Sequence, residues 1–98
     1  MDIPRPQKGE FTIYSKSGCV NCNKIKKLLK DNSFLFRVID CDDFLIENKS
    51  VFLDSMETLC GKRVTTFPMV FDGNIFLGGY EQTVSYINEL NDFFAEMI

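Results

Sequence analysis

The chain has 98 residues, four cysteines, no histidine, ten phenylalanines and a net charge of −3. That length fits one domain over residues 1–98 with no second core, and a hydrophobic share of 45% belongs to a folded chain rather than a disordered one. The acidic balance argues against nucleic acid as a partner, and no run approaches the ~20 apolar residues that cross a bilayer.

Residues 1–10 form a Pro-rich lead without the apolar stretch of a signal peptide, so a cytoplasmic, reducing setting is expected, with Cys41 and Cys60 as free thiols. Phe11-Thr12-Ile13-Tyr14 is rich in β-formers and reads as a buried strand. Ser15 to Gly18 is a loop. A helix over Asn23 to Asp31 follows, with Cys22, Ile25, Leu28 and Leu29 on one face and Lys24, Lys26, Lys27 and Lys30 on the others. Phe34 to Ile39 is the second strand. The strand–helix–strand run makes these two strands parallel.

Asn48 to Cys60 reads as a second helix with Phe52, Met56, Leu59 and Cys60 inward; Phe44-Leu45-Ile46 fits either a first turn or a loop. Gly61 is a natural stop. Met69-Val70-Phe71, the turn signal Asp72-Gly73-Asn74 and Ile75-Phe76-Leu77 make an antiparallel hairpin. Gly78-Gly79 leads to a last helix with Val84, Ile87, Leu90 and Phe94 at core spacing. The order is β-α-β-α-β-β-α.

Cys19-Val20-Asn21-Cys22 carries the chemistry. At the start of a helix, residues i and i+3 lie close enough for their sulfurs to bond, and the first sulfur meets unpaired N–H groups and the positive end of the helix dipole. Both favour thiolate, the nucleophile of disulfide exchange; a lowering of roughly one to several units from an ordinary pKa of about 8.5 leaves such a cysteine substantially ionised at neutral pH. Cys22 lies on the apolar face and is expected to be deeper and less acidic. With no histidine to act as base, stabilisation must come from the helix terminus and local N–H groups. A thiol–disulfide oxidoreductase follows.

Three segments in order and at these spacings make the chain similar to the glutaredoxins, of the thioredoxin fold: Tyr14-Ser15-Lys16 before the CxxC, Gly61 to Phe71 containing Thr66-Phe67-Pro68, and Ile75-Phe76-Leu77-Gly78-Gly79-Tyr80. The resemblance implies a four-stranded mixed sheet flanked by three helices, and a cis peptide before Pro68. It places Thr66, Phe67 and Pro68 beside Cys19, with the Phe67 backbone pairing with the cysteinyl unit of glutathione. Lys16 attracts the thiolate and a glutathione carboxylate, and Gly79, Tyr80, Glu81 and Gln82 offer N–H groups to the γ-glutamyl end. Glutathione is the implied co-substrate, and a monomer acting on protein or glutathione mixed disulfides the implied form.

The chain departs from the family pattern where Val20 and Asn21 replace Pro and Tyr, Gln82 replaces an acid, and Phe67 replaces valine. These changes bear on glutathione affinity more than on thiol chemistry. They leave open a glutathione-ligated [2Fe–2S] dimer and a thioredoxin-like electron donor to ribonucleotide reductase. A mixed disulfide on Cys19 has two exits, attack by Cys22 or direct resolution by free glutathione with Cys22 dispensable. Cys41 and Cys60 stand alone without histidine, so no intrachain metal is expected. The acidic surface as a whole implies a basic docking patch on the partner.

Overall fold

The computed structural model describes residues 1–97. Its elements run β1 (Phe11–Ser15), α1 (Val20–Asp31), β2 (Phe36–Asp40), α2 (Asp42–Cys60), β3 (Met69–Asp72), β4 (Ile75–Gly78) and α3 (Tyr80–Glu96). The four strands form one sheet in the order β2-β1-β3-β4. β1 pairs parallel with β2, Ile13 opposite Val38, and antiparallel with β3, Ile13 opposite Val70. β3 and β4 pair antiparallel, with a bulge between Val70 and Phe71. This is the mixed sheet and element order of the thioredoxin-like fold expected above.

β1 is buried over all five residues because it lies inside the sheet with helices on both faces. Its alternation divides the core. Tyr14 joins Cys41, Phe52, Leu53, Met56, Met69 and Phe71 beneath α2. Phe11 and Ile13 join Ile25, Leu29, Val70 and Ile87 beneath α1 and α3. Each fully buried aliphatic or aromatic side chain contributes roughly 1.5–3 kcal/mol of transfer free energy, so the two clusters hold the layers together.

Several boundaries differ from the sequence reading. α1 begins at Val20 rather than Asn23, because the Cys19 side chain caps it. β2 starts two residues later than expected, at Phe36. α2 begins at Asp42, and Asn48 interrupts it with φ −162° and ψ 92°. The Asn48 carboxamide there accepts from the Val51 N–H at 3.1 Å, so the helix is re-capped in mid-course. Phe94, expected in the core, is 50% exposed and stands edge-on to Phe93. It borders an open cleft with Phe11, Phe34 and Leu90, so it keeps the helical spacing of the core residues while half of it faces solvent.

The N-terminal lead is fastened to the sheet. The Tyr14 hydroxyl donates to the Pro4 carbonyl at 2.6 Å, and Arg37 donates to the Arg5 carbonyl while pairing with Glu10 at 3.3 Å. Ile3 packs against the core beneath α2.

Candidate active site

The loop leaving the C-terminal end of β1 delivers Cys19 to the first turn of α1. Cys19 is half-buried and Cys22 wholly buried, and the two sulfurs are joined in a disulfide with Cα atoms 5.2 Å apart. The Cys22 N–H donates to the Cys19 sulfur at 3.1 Å, so the first sulfur serves as the helix cap. Neither Ser, Thr, Asp nor Asn occupies that position. A sulfur anion there would meet the same N–H and the helix dipole, which is the physical basis for favouring thiolate.

The loop is held from the second half of the fold. Asp42, the first residue of α2, accepts from the Ser17 N–H at 2.9 Å and from the Ser17 hydroxyl. The Ser17 hydroxyl and then its amide hold the Asp42 carboxyl below the usual carboxylate range, with the Lys16 ammonium adding to the effect. Asp42 was given no role from the sequence. A carboxylate on the first residue of a helix was the available signal.

The remaining expected residues converge from three segments. The Phe67–Pro68 peptide is cis. Lys16 Nζ lies over the Phe67 ring, 5.6 Å from its centroid. Phe67 is itself the end of a stack: it lies 6.1 Å from Phe52, which lies 6.0 Å from Phe44, with interplanar angles of 13° and 11°. Thr66, Gly79 and Gln82 share a groove of about 380 Å³ with Lys62, Arg63 and Phe76. Pro68 faces the same turn, since a Cβ on Gly79 would stand 3.6 Å from its carbonyl oxygen.

Two details were not anticipated. The Gln82 carboxamide oxygen accepts from the Gly79 N–H at 3.1 Å, so that amide is engaged within the protein. The N–H groups of Tyr80, Glu81 and Gln82 remain as the unpaired donors of the α3 terminus. Lys62 and Arg63 line the groove although sequence reading gave them no role. Arg63 is paired with Asp54 at 2.6 Å and Glu57 at 3.3 Å, whereas Lys62 lies over the Phe76 ring at 6.0 Å.

The structure does not gather every expected side chain into one groove. Tyr80 faces α1, with Lys24 Nζ 5.5 Å from its ring centroid. Glu81 lines a second depression with Ser85, Tyr86 and Glu89, which adjoins the groove at Gln82. Cys41 is buried, its thiol pushed up to about 12 by desolvation; half-buried Cys60 is pushed up to about 11 by the same cause. Among the described residues no three His, Cys, Asp or Glu side chains cluster as metal ligands.

Comparison with known proteins bears on this arrangement. The glutaredoxin family model matches residues 11–76. Mitochondrial glutaredoxin-2 of Rattus norvegicus and of Homo sapiens are each 34% identical over 71 residues, 72% of this chain. The chain spans less than half the length of these relatives, 43% and 41% respectively. Glutaredoxin 1 from Francisella tularensis, solved with cacodylate, superposes with a TM-score of 0.73 at 22% identity, over 85% of this chain and 96% of its own. A buckwheat glutaredoxin–glutathione complex gives 0.65 at 24% identity, over 81% and 68%. The structural likeness carries the fold; the family model, spanning the CxxC and the cis-proline segment, carries the relationship. The chain belongs to the glutaredoxin family.

Proposed function

We propose that this protein is a glutathione-linked thiol–disulfide oxidoreductase in which Cys19 is the nucleophile and Cys22 the resolving thiol. The observation that carries the reading is the half-exposed Cys19 sulfur capping α1, bonded to a sulfur that solvent does not reach. In the reduced protein the Cys19 thiolate attacks one sulfur of a substrate disulfide. The substrate S–S bond breaks, and the departing thiolate takes a proton from solvent. Cys22 then loses its proton and attacks Cys19 Sγ, which releases the second substrate thiol and leaves the Cys19–Cys22 bond. One glutathione thiolate reopens that bond as a mixed disulfide on Cys19. A second attacks the glutathione sulfur, giving oxidised glutathione and the reduced protein.

The groove beside Thr66 supports glutathione as the reductant. Its γ-glutamyl carboxylate suits the unpaired N–H groups of Tyr80, Glu81 and Gln82, its glycyl carboxylate suits Lys16 or Lys62, and the Phe67 backbone suits its cysteinyl amide. Gln82 offers no charge to the γ-glutamyl ammonium, so the affinity should be modest. The free thiols of Cys41 and Cys60 suit a reducing, cytoplasmic setting, although the relatives named above are mitochondrial; microscopy of the tagged chain decides this.

Turnover of a glutathione mixed disulfide, coupled to glutathione reductase, tests the function. It should be abolished in Cys19→Ser and retained in Cys22→Ser, because free glutathione resolves a mixed disulfide on Cys19. Activity surviving Cys19→Ser would overturn the assignment. Wild type inactive with glutathione but active with thioredoxin reductase would move the protein to the electron-donor alternative, with ribonucleotide reductase as the substrate to try. Visible absorbance after anaerobic reconstitution with glutathione would favour the [2Fe–2S] dimer.

A further inference from the structure

Charge is unevenly placed in this molecule. α1 carries four lysines and one aspartate, whereas α2 carries five acids and one lysine, and α3 four acids and no base. The helix that begins at the reactive disulfide is therefore the cationic pole of an acidic protein. This reverses, at the active site, the electrostatics implied by net charge. Of the four lysines only Lys27 is committed to an ion pair among the described residues, with Asp31 at 2.8 Å.

An apolar feature accompanies the lysines. Val20, the residue after Cys19, is 66% exposed. Val20, Lys24, Lys27 and Leu28 share one face of α1 at spacings of four, seven and eight. That face meets α3 in a shallow groove of about 300 Å³ lined by Lys24, Lys27, Leu28, Asp31, Tyr80 and Val84. Leu28, Val84 and the Tyr80 ring are its half-buried lining, and its exposed lining carries Lys24, Lys27 and the Asp31 carboxylate that pairs with Lys27, two cations to one anion. The groove is separate from the one beside Thr66 and Gln82.

We propose that this groove docks an acidic segment of a partner protein, bearing one apolar side chain and lying next to the partner's disulfide cysteine. The proposal rests on the oxidoreductase reading for its purpose, which is to select the protein disulfides that reach Cys19. The rise of α1 puts Lys24 roughly 7 Å and Leu28 roughly 14 Å along the axis from Cys19. An extended peptide covers that in roughly two to four residues. The acidic side chains therefore belong within about four positions of the partner's cysteine, with the apolar residue at the far end. Charge complementarity speeds encounter and discourages basic sequences, while the apolar anchor supplies residence time.

Binding and turnover separate the two ideas. The probe is a fluorescent peptide with serine in place of its cysteine, acidic residues at the next two positions and phenylalanine at the fourth; its control carries lysines in place of the acids. Oxidised wild type should bind the acidic peptide about tenfold or more tightly than the basic one, with the preference shrinking in about 0.5 M salt. Lys24→Glu/Lys27→Glu should erase or invert that preference. Equal binding of the two peptides, or a preference that survives charge reversal, overturns the proposal. So does a concentration-dependent wild-type dimer lost in the variant, which would assign the face to a second copy of the chain. Turnover of hydroxyethyl disulfide with glutathione reads the chemistry separately. Selective binding without turnover upholds the docking surface and removes the glutathione-linked reading.

Discussion

The aromatic stack beneath the cis-proline segment gives a quantitative test of how the site is supported. Phe52 is fully buried between Phe44 and Phe67, and Phe67 lies beneath the Lys16 ammonium. Truncation to alanine would cost about 3–5 kcal/mol, a large part of the stability of a domain this size. Phe52→Leu is the cleaner perturbation. It keeps most of the volume, loses two ring–ring contacts and should cost about 1–2 kcal/mol. If the stack aligns Phe67, then Phe52→Leu and Phe67→Leu are coupled. A double-mutant cycle by urea unfolding of the oxidised protein should return a coupling of about 0.5–1.5 kcal/mol. Both single variants should also raise the KM for the glutathione mixed disulfide more than they lower kcat. Additivity within about 0.3 kcal/mol would show that Phe67 takes its position from its own loop, and would refute the role given to α2.

Alkaline stability should report the buried thiols. The folded chain holds Cys41 near about 12 and Cys60 near about 11 by desolvation, above the ordinary value of about 8.5. The folded state thus keeps protons that the unfolded chain releases, so the contribution is whole below about pH 8.5 and is lost as pH rises toward the folded values. Unfolding free energy from about pH 9 to 11 should fall less steeply in Cys41→Ala than in wild type, by up to about 1.4 kcal/mol per pH unit; parallel slopes would remove burial as the cause. Tyr14→Phe deletes the donor to Pro4 and should cost about 1 kcal/mol while speeding protease trimming of residues 1–8; unchanged trimming would mean that Arg37 and Ile3 alone hold the lead. Gly78 has φ +121°, and a Cβ there would stand 2.9 Å from the Gln82 side chain, whereas Gly61, at φ +79°, opens onto space. Gly78→Ala should therefore cost roughly 2 kcal/mol or more against about 1 for Gly61→Ala, and equal melting temperatures would contradict that ranking.

What could be read from sequence was what is local or periodic. The CxxC at a strand–helix junction, the Asp72-Gly73-Asn74 turn and the run of β-formers in β1 each declare themselves within a few residues. The start of α1 was misplaced because cysteine is not among the residues ordinarily sought at a helix N-cap. The start of α2 was ambiguous because Asn48, a good cap, lies inside it. Phe94 was misassigned because helical spacing gives the face a residue lies on but not how deeply it is covered there. Ser17–Asp42, Lys16–Phe67 and Lys24–Tyr80 join residues 25, 51 and 56 positions apart. Such contacts follow from how the layers close, and no single window of sequence contains both partners.

One consequence concerns the bond between the Cys22 N–H and the Cys19 sulfur. A helix cap is usually a fixture, whereas this one changes its electronic character whenever the Cys19–Cys22 bond opens or closes. As a thiolate the sulfur is a strong, charged acceptor; as half of a disulfide it is a weak one. Whatever steadies the first turn of α1 in the reduced protein must, by reciprocity, stabilise the reduced state to the same extent. The helix thus belongs to the redox couple, and the amide of Cys22 should serve as a built-in gauge of which electrons the protein holds.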